Sequence, residues 1–347
     1  MVSTPARVST GTSRPAIAWS WSQALAGAVY GLPAGVVALA DPQSGVPLAV
    51  GVLPAAILPV PGPRKARVAI LLVGVLAGVS LFVGGVLAHL PTVVTAVLLV
   101  LAVVGAAVLS TVTPRGQVVL ALGVPLVAAG LSYDDFATSA GAALLLIAGS
   151  TYAWLVSLAW PERAAADRAS QGLPDRRVLL GYGIRIGIAS ALAYLVAAGL
   201  DLDHAGWAAA ACLLVARPQL DLLQSRGVGR VVAVTVGALA AGIALRADPP
   251  DAVYAVLAVV VLAAAAATCA SRWYISSAFT TFFVFLLLLF DHPDQTAQKF
   301  DERVGETILG VALAYVFGWL VPALRDRAGW WREHPSRPTL GPWKTRR

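Results

Sequence analysis

Arg226 and Arg230 stand four residues apart, and Arg303 and Glu306 three apart, in a chain of 347 residues of which only 12% are charged. On a helix these spacings place both members of each pair on one face. Two guanidinium groups one turn apart can present two forks to a single carboxylate, although positively charged anchors at a membrane surface would have the same spacing. Arg185 sits alone about seven residues inside an apolar stretch, where a guanidinium either faces a bundle interior or snorkels back to the interface. Glu306 can carry a proton or pair structurally with Arg303. Asp203, His204 and Trp207 fall within five residues of one another. An imidazole with a pKa of about 6.5 could relay protons there, while a capping Asp and an interfacial Trp account for the same residues without chemistry. The candidate substrate-binding residues are therefore Arg185, Arg226, Arg230 and Trp207, and the candidate proton-coupling residues are Glu306, His204 and Asp203.

Other chemistries are not expected. Cys212 and Cys269 lie inside apolar runs, and His89, His204, His292 and His334 are scattered, so neither a disulfide framework nor a metal-ligand cluster is read. None of Lys65, Lys299 and Lys344 follows a Gly, which excludes a P-loop. No catalytic dyad or triad stands out. The chain reads as a non-enzyme without cofactor or metal, drawing on gradients or on a separate partner.

The elements that must position these residues are apolar. The residues AVILMFWYC make up 58% of the chain and mean hydropathy is +0.78, so its solvent is mostly lipid. The expected fold class is all-α: a polytopic membrane protein of about twelve transmembrane helices. They fall near residues 22–40, 45–60, 68–88, 92–112, 117–132 and 139–160, then 178–200, 205–217, 228–246, 252–270, 273–290 and 303–324. Basic residues of short loops accumulate on the cytoplasmic side. With the N-terminus inside, 21 of them fall there and only Arg246, Lys299 and Arg303 opposite. Both termini are expected to be cytoplasmic, in the plasma (inner cell) membrane. The formal charge of +7 then reflects orientation and lipid, not nucleic acid. Residues 1–40 imitate a secretory signal, with Ala38-Leu39-Ala40 resembling a cleavage site.

A shift of about 161 residues brings Asp41 and Gly45 near Asp201 and Gly206, and Trp160-Pro161 onto Val321-Pro322. This predicts two parallel six-helix repeats, because an even number of helices preserves orientation. The expected organisation is a cytoplasmic segment 1–21, a degenerate first repeat 22–160, a linker 161–177, a second repeat 178–324 and a basic, Trp-containing tail 325–347 suited to anionic lipid. The second and eighth helices are short or rich in Pro, which in matching positions of two halves points to a transporter's binding site. Thr235 with Gly237, and Thr307 with Gly310, place small residues at helix packing faces.

The residues of the second half resemble the fusaric acid resistance (FUSC) family of the aromatic acid exporter superfamily. The likeness runs from about Arg185 to Leu324. It rests on Arg185-Ile-Gly-Ile-Ala-Ser-Ala-Leu-Ala, Asp203-His204-Ala205-Gly206-Trp207-Ala208, Arg226-Gly-Val-Gly-Arg230-Val-Val-Ala-Val-Thr235-Val-Gly237 and Arg303-Val-Gly-Glu306-Thr307-Ile-Leu-Gly310. The resemblance implies efflux of aromatic or other organic acid anions. A passive organic-anion channel, or a non-transporting scaffold or subunit of a cell-envelope complex, remains open as an alternative. The expected partners are the anion, membrane lipid and either a second copy or an envelope protein.

Overall fold

Lipid offers backbone groups no hydrogen bonds, so each apolar run closes its own as a helix. The computed structural model describes residues 17–60, 62–133, 135–162, 175–217, 220–247, 250–290 and 296–324. Those residues form helices without strands. The tail 325–347, the N-terminal segment to residue 16 and most of the linker lie outside the described residues.

In chain order the helices are α1 Trp21–Ala38, α2 Pro42–Ala56, α3 Val68–Ala88, α4 Thr92–Val112, α5 Pro114–Gly130, α6 Phe136–Leu158, α7 Arg176–Gly199, α8 Gly206–Val215, α9 Leu220–Arg246, α10 Asp251–Ala267, α11 Trp273–Phe290 and α12 Thr296–Tyr315. A π-helical turn, Val119–Gly123, interrupts α5, and a second, Val316–Leu320, extends α12. Breakers in the sequence set the starts. Asp135 accepts from the Thr138 amide at 2.7 Å to cap α6, Asp175 accepts from Arg177 at 2.7 Å to cap α7, and Thr113 caps α5 just before Pro114.

Among the described residues, six helical stretches are long and apolar enough to cross a membrane: Arg64–Ala88, Thr92–Val112, Phe136–Leu158, Arg176–Gly199, Leu223–Arg246 and Gln298–Leu324. Large apolar side chains such as Leu72, Leu101, Leu144, Val232 and Val256 point outward, as in a protein solvated by lipid. The chain is an integral membrane protein. The other helices are shorter, and α2 and α8 are the most enclosed. Ala208 to Cys212 of α8 are at most 2% exposed. A helix of ten residues, about 15 Å long, cannot span a hydrocarbon core of about 30 Å, so its ends must be covered by protein. Here the last carbonyl, that of Ala216, accepts from the Tyr182 hydroxyl at 2.9 Å.

Packing follows a pattern offset by six helices. In the first half α1 packs on α2, α2 on α6, and α3 on α5 and α6. In the second, α7 packs on α8, α8 on α12, and α9 on α11 and α12. Between the halves, α1 lies along α10 and α4 along α7. Glycines permit the closest approaches. Gly27, Gly31 and Gly35 of α1 face Ala255 to Ala266 of α10, and Gly183 and Gly187 of α7 face Val100 to Ala107 of α4. The apolar interior accordingly divides in two, one core centred on α4, α5, α7 and α8 and the other on α1, α2, α10 and α11.

Two helices begin earlier than hydropathy alone indicates. α9 starts at Leu220 instead of 228, and α12 at Thr296 instead of 303. Arg230 and Arg303 thus lie inside helices, about 15 Å and 10 Å from their starts. Neither belongs to a loop, so both leave the count of orientation charges.

Candidate functional site

α12 places Arg303, Glu306, Thr307 and Gly310 on one face by their spacing of three, four and seven. That face meets α8, where Gly310 abuts the backbone of Ala208 and Cys212. Trp207, one turn earlier on α8, lies beneath the Arg303 guanidinium, whose carbon is 3.7 Å from the ring centroid. Arg303 Nη1 is 3.5 Å from Glu306 Oε2, and the two side chains are 5% and 2% exposed. Thr307 donates to the Arg303 carbonyl at 2.9 Å, holding that turn of helix. From α9, Arg230, 6% exposed, donates to Ser277 of α11 and lies close enough to Arg303 for their charges to interact.

Two guanidinium groups meet the Glu306 carboxylate, and the Glu302 and Asp203 carboxylates act on Glu306 from the neighbouring layer, so this is a buried charge network in which hydrogen bonds are left unmet. Arg230 Nε, Arg303 Nε and Nη1, and Glu306 Oε1 are buried without a hydrogen-bond partner. Each unmet buried polar atom costs about 1–3 kcal/mol, and more when the group is charged. The unmet N–H groups of Arg230 and Arg303 are the kind of donors that a carboxylate accepts from.

A more exposed layer lies at the α7–α8 turn. Lys299 binds Asp203 at 2.5 Å, and this hydrogen bond holds the Asp203 carboxyl below its ordinary value. Asp203, His204 and Glu302 bring one ligand atom each within 4.8 Å of one another. The Lys299 ammonium already supplies a cation to Asp203, so the geometry makes no case for a metal.

The remaining sequence-predicted residues separate from this centre. Arg185 is half-buried on α7 and lines a shallow pocket with Tyr182, Ile186, Arg217, Phe317 and Gly318. Arg226 acts electrostatically on Tyr182, and Arg230 has Ser277 and Arg303 as neighbours. Thr235 is half-buried on α9, and Gly237 packs closely on Ala278 and Thr281 of α11. Sequence reading missed Ser277 and Arg217. Ser277 carries no signal, because its partner is 47 residues away. Arg217 was legible only as a basic residue after an unusually short helix.

Residues 189–317 match a family model described as fusaric acid resistance protein-like. No curated protein and no solved structure matches the chain.

Proposed function

We propose that the chain is a membrane transporter that exports organic acid anions, aromatic ones among them, through the buried centre of α8, α9 and α12. The observation that carries this reading is the buried Arg230 and Arg303 pair, which leaves guanidinium N–H groups without acceptors. A carboxylate would accept from those groups, beside the Trp207 ring that already lies under Arg303. The match over residues 189–317 supports transport as the class of activity.

The two halves act as parallel six-helix repeats, with both termini cytoplasmic. Helix pairings offset by six support this arrangement, as do two close contacts offset by 161 residues: Gly149 against Gly51, and Gly310 against Cys212. In the cycle the halves rock about the short helices α2 and α8. Glu306 is the group placed to exchange Arg303 for a proton while the anion occupies the guanidinium.

The test is efflux from liposomes containing purified protein and loaded with benzoate, or with aliphatic carboxylates. Replacing Arg303 or Arg230 by Gln removes charge-assisted hydrogen bonds worth about 1.5–3 kcal/mol, so efflux at low substrate should fall roughly 10- to 100-fold. Wild-type protein that moves no carboxylate, or both variants at wild-type rate, would overturn the reading.

A further inference from the structure

The pocket around Arg185 lies well away from the centre just described. Its outermost members on α12, Phe317 and Gly318, follow Arg303 by 14 and 15 residues, or about 21 Å along the helix. Tyr182 and Arg185 come from α7, about two to three turns inside its start, and Arg217 from the turn between α8 and α9. All lie at the end of the bundle where α7 begins and α12 ends.

Three independent features make this more than a surface dimple. First, Arg185 forms no hydrogen bond or ion pair with another described residue, although it is half-buried in a membrane helix. Second, Arg217 is fixed in place: one of its N–H groups donates to the Ala216 carbonyl at 2.5 Å, the same oxygen that Tyr182 engages. A guanidinium carries five N–H donors, so this bond leaves others to face a ligand. Third, α12 turns π-helical at Val316–Leu320, where it borders the pocket. Such turns widen a helix, break its regular ladder and recur at functional sites. Arg226 adds a third positive charge that acts on Tyr182.

We propose that this pocket is a second anion station, in which Arg185 and Arg217 hold a carboxylate group at its mouth while the rest of the anion stays outside, beside Phe317. The proposal rests on the transport reading, which it extends from one buried centre to a two-station route along the α12 face. Carboxylate and lipid phosphate share the chemistry that two guanidinium groups recognise. The station reading requires that a free carboxylate occupies the site when anionic lipid is present.

Binding of 4-fluorobenzoate, followed by fluorine NMR on the purified full chain in phosphatidylcholine nanodiscs, reads the site without any flux. In an Arg303→Gln background the pocket should still bind. Adding Arg185→Gln and Arg217→Gln should weaken that binding at least tenfold, and Arg185→Lys with Arg217→Lys by less, because Lys keeps the charge and loses the fork. Should the Gln variants elute as aggregates, the Lys variants carry the comparison. Unchanged affinity in whichever pair folds would overturn the proposal. So would loss of 4-fluorobenzoate binding at this site when phosphatidylglycerol is included in the discs, since the pocket would then belong to a lipid headgroup. Absent efflux with Arg185-dependent binding intact would overturn transport and not the pocket.

Discussion

Replacing Glu306 with Gln should weaken the protein and strengthen its grip on an anion at the same time. The carboxylate lies 3.5 Å from an Arg303 nitrogen, and at an effective dielectric constant of about 20 a pair of unit charges so placed interacts by roughly 5 kcal/mol. Gln has nearly the same shape, so packing against α8 is kept and only the charge is lost. Removing one member of a buried pair costs about 3–5 kcal/mol, because the other charge remains without compensation. Here that other charge has Arg230 as a neighbour. The substituted centre therefore keeps two buried cations and loses the carboxylate nearest Arg303, and an external carboxylate would supply what the side chain no longer does. Thermal unfolding of the purified protein, followed by Trp fluorescence with and without benzoate, measures both effects. The apparent midpoint should fall without ligand, and benzoate should raise it more in the variant than in wild type. A hundredfold excess over Kd returns about 2.7 kcal/mol. Tighter binding should also slow release, so efflux should drop. A Glu306→Gln variant as stable as wild type, or one indifferent to benzoate, would show that Glu306 is not the charge that holds Arg303.

Three further outcomes are expected. Leu at Gly310 would drive a Cβ within 2.8 Å of Ala211 and against the Ala208 carbonyl, costing at least about 1–3 kcal/mol of overpacking and much of the folded yield, whereas Ala at Gly305, where a Cβ meets nothing, should be harmless; equal yields would argue against close α8–α12 packing. Lys299 holds the Asp203 carboxyl below its ordinary value, so this pair contributes stability above about pH 4 that is lost as the pH falls through the lowered value; Asp203→Asn should remove that acid-side dependence, by at most about 1 kcal/mol because the carboxylate is half exposed, and a wild-type pH profile would show the pair to be idle. Single cysteines at Ser44, Asp134 and Asp294 should label from outside intact cells, and those at Gln171 and Ser225 only after permeabilisation; labelling of Gln171 from outside would defeat the arrangement of six helices plus six.

Apolar runs bounded by Pro, Gly and Asp made the helices legible, including the unusual shortness of α8, because a membrane leaves the chain few other ways to satisfy its backbone. Hydropathy misplaced the starts of α9 and α12 for one reason. Leu220-Asp-Leu-Leu-Gln-Ser-Arg and Thr296-Ala-Gln-Lys-Phe-Asp-Glu read as loop when polarity is taken for exposure, yet both are rich in good helix formers, and Leu223 is fully buried. The error moved Arg230 and Arg303 from the interior of the bundle to its surface. Their identity as candidates was visible, and so was the pairing of Arg303 with Glu306, since three residues along one helix fix a neighbour. The seat of Arg303 on Trp207, and that of Arg230 at Ser277, depend on which helices meet, and spacing within one helix carries no such information.

The contact between α1 and α10 has a consequence for biosynthesis. The glycine face of α1 packs onto residues made about 230 positions later, so at roughly 5–20 residues per second the first helix waits about 10 to 50 s for its partner. During that interval Gly27, Gly31 and Gly35 have only lipid or the insertion machinery to face. α4 and α7, whose contact spans a much shorter stretch of chain, can join while synthesis is still under way. The contact of α4 with α7 should then form before α10 emerges, but the core around them also takes Ala314 and its neighbours from α12 and closes only at the end of synthesis, so a chain truncated before α10 should leave α1 exposed to quality-control proteolysis.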